Sequence, residues 1–431
     1  MNLCYIIVLG EIMEKAILVG LELPESYHFK EAMEELKNLA LACNIEVLDT
    51  ITQRLNNPTS NFYIGSGKVE EIKQAAITLE ANVVVFDDEL SPSHIRNLEK
   101  ALEMKVIDRT ILILDIFARR AKTKEAMLQV ELAQCEYMLP RVVGLYSSLS
   151  RQKSGTGSKG PGETKLELDR RILKDRVHHL KQELKELVTI RRVQREKRKK
   201  EDVFTVALAG YTNAGKSTML NKILEFSFQN SEKYVFEKDM LFATLETSTR
   251  NITLPNKHQF LVTDTVGFIS KLPHHLIEAF KSTLEEITEA SLILHIIDAA
   301  NKEYLSQIDV VEEVLQKLGA TNIPTIYVFN KIDLVQGDII VDKQPQIMVS
   351  AVTGKGMQDL VDLIDATLYN KMHHVKMLLP FDKGNIYGFL RENAHIKATD
   401  YQADGIHLDI ELSDYHLKLY HEYVIENGKK D

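Results

Sequence analysis

Residues 210–217, with the sequence GYTNAGKS, carry two glycines, a lysine and a serine at the spacing of a phosphate-binding loop. The glycines let the backbone turn so that its N–H groups point at phosphate oxygens, and the positive end of a following helix favours the same charge. We expect Lys216 to reach the β- and γ-phosphates and the Ser217 hydroxyl to bind Mg²⁺. The stretch therefore predicts a nucleotide site that uses magnesium.

Three later stretches supply the rest of a nucleotide site in the expected order. Asp264 ends a strand, which places a carboxylate beside Mg²⁺, and Gly267 follows with an N–H for the γ-phosphate. In Asn330-Lys-Ile-Asp333, the last carboxylate can accept two hydrogen bonds from guanine that adenine cannot offer. The backbone N–H of Ser350-Ala351 is expected to support the guanine O6. The base is therefore predicted to be guanine, which argues against a kinase or an ATPase.

A long polar loop before Ile252 lies where a nucleotide-sensing switch should be. It contains four hydroxyl residues that could supply a second magnesium ligand, and chemistry alone does not choose among them: Thr244, Thr247, Ser248 and Thr249.

The elements around these loops alternate between buried strands and helices. A strand over residues 203–209 precedes the phosphate loop and a helix over 218–225 follows it. Further strands are predicted at 252–254, 259–263, 292–297, 324–329 and 346–349, with a last helix from Met357 to Asn370. This pattern predicts an α/β GTPase domain over 203–372, a doubly wound sheet with the phosphate loop after its first strand.

An N-terminal α/β subdomain is predicted over residues 13–120, from strands near 16–20, 45–49, 82–86 and 106–107 alternating with helices near 30–42, 69–79 and 92–103. For Ile64-Gly-Ser-Gly-Lys68 we favour a glycine turn that opens a helix over an anion site. For Asp87-Asp88-Glu89 we favour solvated loop carboxylates over a metal site.

Residues 121–202 read as a long antiparallel helical hairpin. One apolar stripe runs from Leu128 through Leu132 and Cys135 to Leu139 and is expected to stop at Pro140. A second stripe follows at heptad spacing, on Leu166, Leu173, Val177, Leu180, Leu184 and Leu187. The glycine-rich stretch 154–162 would form the tip of the hairpin.

The formal charge is −9, yet residues 151–200 hold 17 Lys and Arg against 7 Asp and Glu. A polyanion such as RNA is therefore a candidate partner for the hairpin. The alternatives are a flexible connector at the tip, a solvated helix face, and basic residues that complement the negative end of the helix. The RNA-binding candidates are Arg151, Lys153, Lys159, Arg191, Arg192 and Arg195.

A small C-terminal α+β domain is predicted over residues 373–431, with strands at Asn385–Leu390 and Gly405–Leu412 and a helix from Asp414 to Val424. Its 6 Lys and Arg against 10 Asp and Glu in 381–431 disfavour RNA binding there. Three scattered cysteines and the lack of a long apolar run predict a reduced, cytoplasmic protein, which we expect to be a monomer. Residues 1–12 read as an extension.

Four stretches together resemble the HflX GTPases of the Obg–HflX group: Ile107–Thr110, Gly160–Arg171, Phe242–Glu246 and Asp264–Phe268. The resemblance implies Thr244 as the switch magnesium ligand. Asp264 is expected to act on Mg²⁺ through a bound water. It also implies binding to the large ribosomal subunit, with the hairpin directed at ribosomal RNA, and a role in splitting or rescuing ribosomes under stress. An alternative is a GTP-dependent RNA- or protein-binding switch in ribosome assembly, in which hydrolysis is incidental.

Lys216, Thr244 and Gly267 are the residues expected to assist hydrolysis. The complete set of expected GTP contacts is Gly210, Tyr211, Thr212, Asn213, Ala214, Gly215, Lys216, Ser217, Thr218, Phe242, Ala243, Thr244, Leu245, Glu246, Asp264, Thr265, Val266, Gly267, Asn330, Lys331, Ile332, Asp333, Ser350 and Ala351.

Two features depart from what related GTPases usually carry. Ser154, Lys159 and Lys165 stand where the family usually has glycine, arginine and glutamine. Phe268 stands where Ras-like GTPases carry the glutamine that orients the attacking water, so hydrolysis without a partner is expected to be slow.

Overall fold

The structure is a computed structural model that describes residues 14–24, 28–145, 161–200, 204–227, 248–256, 258–271, 273, 276, 280–335, 337, 339, 342–369, 372–412 and 414–427. It divides into two compact units. The first comprises residues 1–190, 238–246 and 267–283, and the second comprises residues 191–237, 247–266 and 284–431. Within the described residues, no helix is long and apolar enough to cross a membrane.

The first unit begins with a four-stranded parallel sheet in the order β2-β1-β3-β4. Its strands are β1 (Glu14–Glu22), β2 (Ile45–Arg54), β3 (Val83–Phe86) and β4 (Lys105–Asp108). The helices between and after them are α1 (Phe29–Ala42), α2 (Ser66–Leu79), α3 (Pro92–Leu102) and α4 (Arg109–Arg120). The predicted α/β subdomain is confirmed, and α2 begins directly after Gly65, as the glycine-turn interpretation required.

The Ile107–Thr110 motif has a structural role at the start of α4. Asp108 is fully buried and caps the helix, because its carboxylate accepts a hydrogen bond from the Ile111 N–H at 3.1 Å. The same carboxylate accepts hydrogen bonds from the Leu90 N–H and the Tyr137 hydroxyl. These contacts join the end of β4, the loop after β3 and the helix that contains Tyr137 at one point.

A buried ionic cluster shows that the solvated interpretation of Asp87 was wrong. Asp87 is 1% exposed and pairs with both Arg109, 2% exposed, and Lys271. Arg109 also pairs with Glu35, which accepts a hydrogen bond from Ser270. A carboxylate can lie at this depth because two cations compensate its lost hydration. Asp88, which also pairs with Lys271, remains partly exposed.

Helices α5 (Lys124–Leu145) and α6 (Pro161–Lys200) form the basic helical segment, which belongs to the first unit up to residue 190. The two predicted stripes pack together, with Leu128, Leu132 and Cys135 against Leu173 and Leu180. An Arg176–Glu131 ion pair with two contacts of 2.7 Å joins the same two helices.

The prediction that the first helix stops at Pro140 was wrong, since α5 continues to Leu145. A proline removes one backbone donor from a helix, and contacts around it can offset that loss. Here Arg141 donates to the Tyr137 carbonyl at 2.7 Å and to the Leu90 carbonyl at 2.9 Å, and its guanidinium lies over the Tyr137 ring. The glycine-rich tip at 154–160 lies outside the described residues.

The second unit contains a six-stranded sheet in the order β10-β9-β8-β5-β7-β6, in which only β6 is antiparallel to its neighbour. Its strands are β5 (Phe204–Gly210), β6 (Ser248–Thr253), β7 (Gln259–Asp264), β8 (Leu292–Asp298), β9 (Thr325–Asn330) and β10 (Gln346–Met348). The helices of this domain are α7 (Lys216–Leu224), α8 (Lys281–Thr288), α9 (Tyr304–Leu318) and α10 (Met357–Tyr369). The doubly wound sheet is confirmed, with β5 in its centre and its carboxyl end at the phosphate loop.

The C-terminal part is an antiparallel sheet in the order β12-β13-β11-β14. It comprises β11 (His373–Leu379), α11 (Gly384–Asn393), β12 (His395–Gln402), β13 (Gly405–Leu412), α12 (Asp414–Leu419) and β14 (Val424–Asn427). The β13 strand is as predicted, but the predicted strand Asn385–Leu390 lies inside α11. Ile386, Tyr387 and Leu390 fall at helical spacing and pack on the sheet, an alternative that a short apolar run leaves open.

Candidate functional site

The phosphate loop joins the central strand β5 to helix α7. Gly215 has φ of 92°, and a Cβ added there would lie 2.5 Å from Nδ2 of Asn330, so glycine is required both by the turn and by the close approach. Lys216 follows as the first residue of α7 and is 7% exposed. Its ammonium donates to the carbonyls of Gly210 and Tyr211 at 2.9 and 2.8 Å, so the side chain folds back across the loop.

The environment of Lys216 is suited to an anion. Burial lowers the pKa of Lys216 to about 8, against the opposing attraction of the Asp264 carboxylate. A phosphate oxygen placed in the loop would stabilise the ammonium form, because opposite charge favours it in a buried setting.

Ser217 and Asp264 bring a hydroxyl and a carboxylate together at the carboxyl ends of β5 and β7. The Ser217 Oγ donates to Asp264 Oδ2 at 2.7 Å, and Asp264 is fully buried. The neighbouring Thr265 donates from its hydroxyl to the Leu208 carbonyl at 2.6 Å, which fixes the end of β7 against β5. Hydroxyl and carboxylate oxygens are the hard ligands that Mg²⁺ prefers, so these residues fit a magnesium site.

Asn330 connects two loops of the site through both atoms of its side-chain amide. Its Nδ2 donates to the Ala214 carbonyl at 2.9 Å, and its Oδ1 accepts from the Ala351 N–H at 3.0 Å. The residue is 2% exposed. The phosphate loop and the loop after β10 are therefore held in one geometry by a single side chain.

Lys331 contacts Asp298, a site residue that was not predicted from the sequence. Its ammonium donates to the Asn213 carbonyl at 2.8 Å and to the Asp298 carboxylate at 2.7 Å. Asp298 ends the buried strand β8, at the same edge as the other site residues. Its place directly after a buried apolar run was the signal that could have identified it.

Asp333 and Ser350 lie in the two loops that the sequence assigned to the base. Asp333 is exposed in a short 3₁₀ helix over Ile332–Leu334, so its carboxylate is accessible to a ligand. Ser350 is fully buried, and its Oγ accepts from the Thr353 N–H at 3.1 Å, which orders the loop that also contains Ala351.

Several predicted site residues lie outside the described residues or belong to the other unit. Phe242–Glu246, which include Thr244, lie outside the described residues, as do Arg151, Lys153 and Lys159. The side chains of Arg191, Arg192 and Arg195, on α6, are likewise outside the description. Gly267 and Phe268 belong to the first unit, where Phe268 is 2% exposed.

The sheet with its phosphate loop after β5 and an Asn-Lys-x-Asp loop after β9 defines a P-loop GTPase. Four family models match the chain in order: GTP-binding GTPase N-terminal over 30–118, GTP-binding GTPase Middle Region over 120–198, 50S ribosome-binding GTPase over 205–331 and HflX C-terminal domain over 339–421.

Among the similar proteins, the GTPase HflX of Caldanaerobacter subterraneus subsp. tengcongensis is 44% identical over 401 residues, covering 93% of this chain and 91% of the relative. The GTPase HflX of Escherichia coli (strain K12) is 40% identical over 398 residues, covering 91% and 92%. The chain therefore belongs to the HflX family of GTP-binding GTPases, as the sequence motifs indicated.

Among solved structures, a GTP-binding protein from the hyperthermophilic archaeon Sulfolobus solfataricus in complex with GDP is similar over 83% of this chain and 99% of that one. The two are 24% identical, with a TM-score of 0.42.

Proposed function

We propose that this protein is a magnesium-dependent GTPase that binds the large ribosomal subunit and splits or rescues ribosomes, especially under stress. The observation that carries the proposal is the convergence of Lys216, Ser217, Asp264 and Asn330 at one edge of the sheet. The description of the family model over 205–331 as a 50S ribosome-binding GTPase supports the ribosomal partner.

In the proposed site, the phosphate loop binds the nucleotide phosphates. Its backbone N–H groups and the start of α7 face the phosphate oxygens, and the Lys216 ammonium leaves the carbonyls of Gly210 and Tyr211 to contact the β- and γ-phosphates. Bound Mg²⁺ would neutralise charge on the β- and γ-oxygens. Ser217 and Thr244 would hold it directly, with Asp264 accepting from a water in its shell.

The guanine specificity falls to the loops after β9 and β10. Asp333 accepts hydrogen bonds from guanine N1–H and the N2 amino group, while the Ala351 N–H lies near O6. Asn330 positions this second loop relative to the phosphate loop, and Asp298 holds Lys331 in place under the base. The loops that select guanine are therefore held by hydrogen bonds to the loop that binds the phosphates.

Hydrolysis needs a water in line with the γ-phosphate, and the Gly267 N–H is proposed to hold that phosphate. The next residue, Phe268, is buried and has no group that can orient a water. We therefore propose that turnover is slow for the protein alone and rises on the ribosome.

The proposed contacts with ribosomal RNA are Arg191, Arg192 and Arg195 on α6 of the basic helical segment, together with Arg151, Lys153 and Lys159 of the stretch predicted to be the tip of the hairpin. Such contacts would be made mainly with phosphates and would weaken as salt rises. We further propose that the working protein is cytoplasmic and acts as a monomer bound to one subunit.

The test measures GTP turnover with and without separated large subunits, in wild type and Lys216→Ala. For wild type we expect low turnover alone and higher turnover with large subunits. Lys216→Ala should show no turnover under either condition. High basal turnover that large subunits leave unchanged would overturn the proposal. Splitting of whole ribosomes with GTP and with a non-hydrolysable analogue then separates the two functions: splitting supports rescue, and no splitting with either nucleotide favours the assembly switch.

A further inference from the structure

Three side chains converge where the GTPase domain meets the C-terminal sheet within the second unit. His258 lies in the turn before β7, while His395 begins β12 and Glu411 lies in β13. The ligand atoms that these residues offer, one from each, all lie within 4.8 Å of one another. The two rings are nearly perpendicular, with centroids 5.4 Å apart.

A neighbouring carboxylate orients the His258 ring. Its Nδ1 lies 2.6 Å from Asp365 Oδ1, the placement of a ring N–H that donates to a carboxylate, while Asn256 Nδ2 lies 3.1 Å from Nδ1 and donates to the other oxygen of Asp365 at 2.8 Å. The ring stacks on Tyr369 at 3.7 Å between centroids and is 9% exposed. In the neutral imidazole this arrangement leaves the lone pair on Nε2.

That lone pair points towards a carboxylate rather than towards a donor. Among the described residues, the buried His258 Nε2 has no hydrogen-bond partner, and Glu411 Oε2 lies 3.4 Å from it. His395 Nδ1 lies 3.2 Å from the same Oε2. Two acceptors at this distance repel each other unless a cation or a proton lies between them.

The geometry points to a Zn²⁺ site formed by His258 Nε2, His395 Nδ1 and Glu411 Oε2. The bound ion would link the GTPase domain to the C-terminal sheet. With zinc–ligand distances of roughly 2.0–2.2 Å, neighbouring ligands in a tetrahedron are about 3.3 Å apart, close to the 3.4 and 3.2 Å found here. Two imidazoles and a carboxylate select zinc over Mg²⁺.

The surroundings of the three ligands match those of a zinc site. Asp365 supplies the carboxylate that orients a ligand histidine. Lys397 donates to Glu411 Oε1 at 2.9 Å and so leaves Oε2 facing the two rings. The fourth position would be taken by water.

The test uses the full chain, saturated with GDP and Mg²⁺, and measures Zn²⁺ affinity by competition with a chromophoric chelator. We expect one Zn²⁺ per chain in wild type, loss of that site in His258→Gln and His395→Gln, and binding about 10-fold to 100-fold weaker in Asp365→Asn. His374→Gln, which alters a histidine of the same sheet paired with Asp409, should bind as wild type does.

Two readouts keep the test independent of folding and of GTP turnover. Co²⁺ in place of Zn²⁺ should give the intense visible absorption of a four-coordinate ion in wild type but not in His395→Gln, and GDP affinity measured on the same samples shows that each variant is folded. Zn²⁺ should also raise the thermal midpoint of wild type and His374→Gln but not that of His258→Gln or His395→Gln. Equal Zn²⁺ affinity in wild type and His395→Gln, or no Co²⁺ absorption in wild type, would overturn the proposal and leave a protonated histidine–carboxylate pair.

Discussion

The Ser217 hydroxyl donates a hydrogen bond to the Asp264 carboxylate over 2.7 Å, which joins the start of α7 to the end of β7. If this pair forms the magnesium site, Ser217→Ala should weaken Mg²⁺-dependent GTP binding by about 10-fold to 100-fold, the scale of one contact to a charged group. Titration with a fluorescent GTP analogue, with Mg²⁺ and with a chelator, measures the effect.

Ser227→Ala is the matched control for that experiment. It removes a buried hydroxyl that accepts from the Thr253 N–H at 3.2 Å but lies three residues beyond the C-terminal end of α7. It should leave the Mg²⁺ dependence unchanged. Equal Mg²⁺ dependence in Ser217→Ala and wild type would show that Ser217 is not a magnesium ligand.

Asp333→Asn should reduce the preference for guanine, because an amide cannot accept from both N1–H and the N2 amino group. A bidentate base contact contributes about 1–3 kcal/mol, so the ratio of GTP to ITP affinity should fall by a corresponding factor. Competition binding with GTP, ITP and XTP measures it, and XTP should gain relative affinity. Asp359→Asn, on the exposed face of α10, serves as the control, and an unchanged ratio in Asp333→Asn would contradict the assignment.

Arg109→Met should strongly destabilise the N-terminal domain. The substitution leaves the buried Asp87 carboxylate and Glu35 without the cation that both contact, and breaking a buried pair on one side costs about 3–5 kcal/mol. Urea unfolding gives the free energy. Lys37→Met, which removes an exposed ion pair with Glu34 on α1, should cost less than about 1 kcal/mol; equal losses in the two variants would show that the cluster contributes no more than a surface pair.

His295 predicts a dependence of stability on pH. Burial lowers its pKa to about 4 from an ordinary 6.5, so the folded protein keeps the ring neutral while the unfolded chain binds a proton below pH 6.5. Its contribution is therefore present above pH 6.5 and is lost as pH falls to 4, by about 3 kcal/mol in total. Unfolding of wild type and His295→Leu across this range measures the difference.

The variant should lose that part of the pH dependence, whereas His178→Gln, at an exposed position of α6, should keep it. A pH profile of His295→Leu that parallels wild type would show that the ring is not buried in its neutral form.

The position of the nucleotide loops could be predicted because their signals are local. A buried strand followed by glycines and a helix specifies the turn before Lys216, and Asp264 and Asn330 each end a strand of the predicted sheet. The hydrogen bonds that Asn330 makes could not be predicted in this way, since Ala214 and Ala351 are brought to it only by the folded sheet.

The failed predictions share a cause. The burial of Asp87 depends on Arg109 and Lys271, residues distant in sequence, so the acidic triplet alone indicated a solvated loop. The helix continues through Pro140 where Arg141 donates to the carbonyl of Leu90, a residue distant in sequence. His258 gave no sequence signal, because Asp365, His395 and Glu411 are brought to it only by the fold.

Nucleotide-dependent cosedimentation with separated ribosomal subunits tests the central claim most directly. With a non-hydrolysable GTP analogue, the protein should sediment with the large subunit and not with the small one, and GDP should release it. Lys216→Ala should remain unbound with either nucleotide. Equal sedimentation with GDP and with the analogue, or equal sedimentation with both subunits, would contradict a GTP-gated interaction with the large subunit.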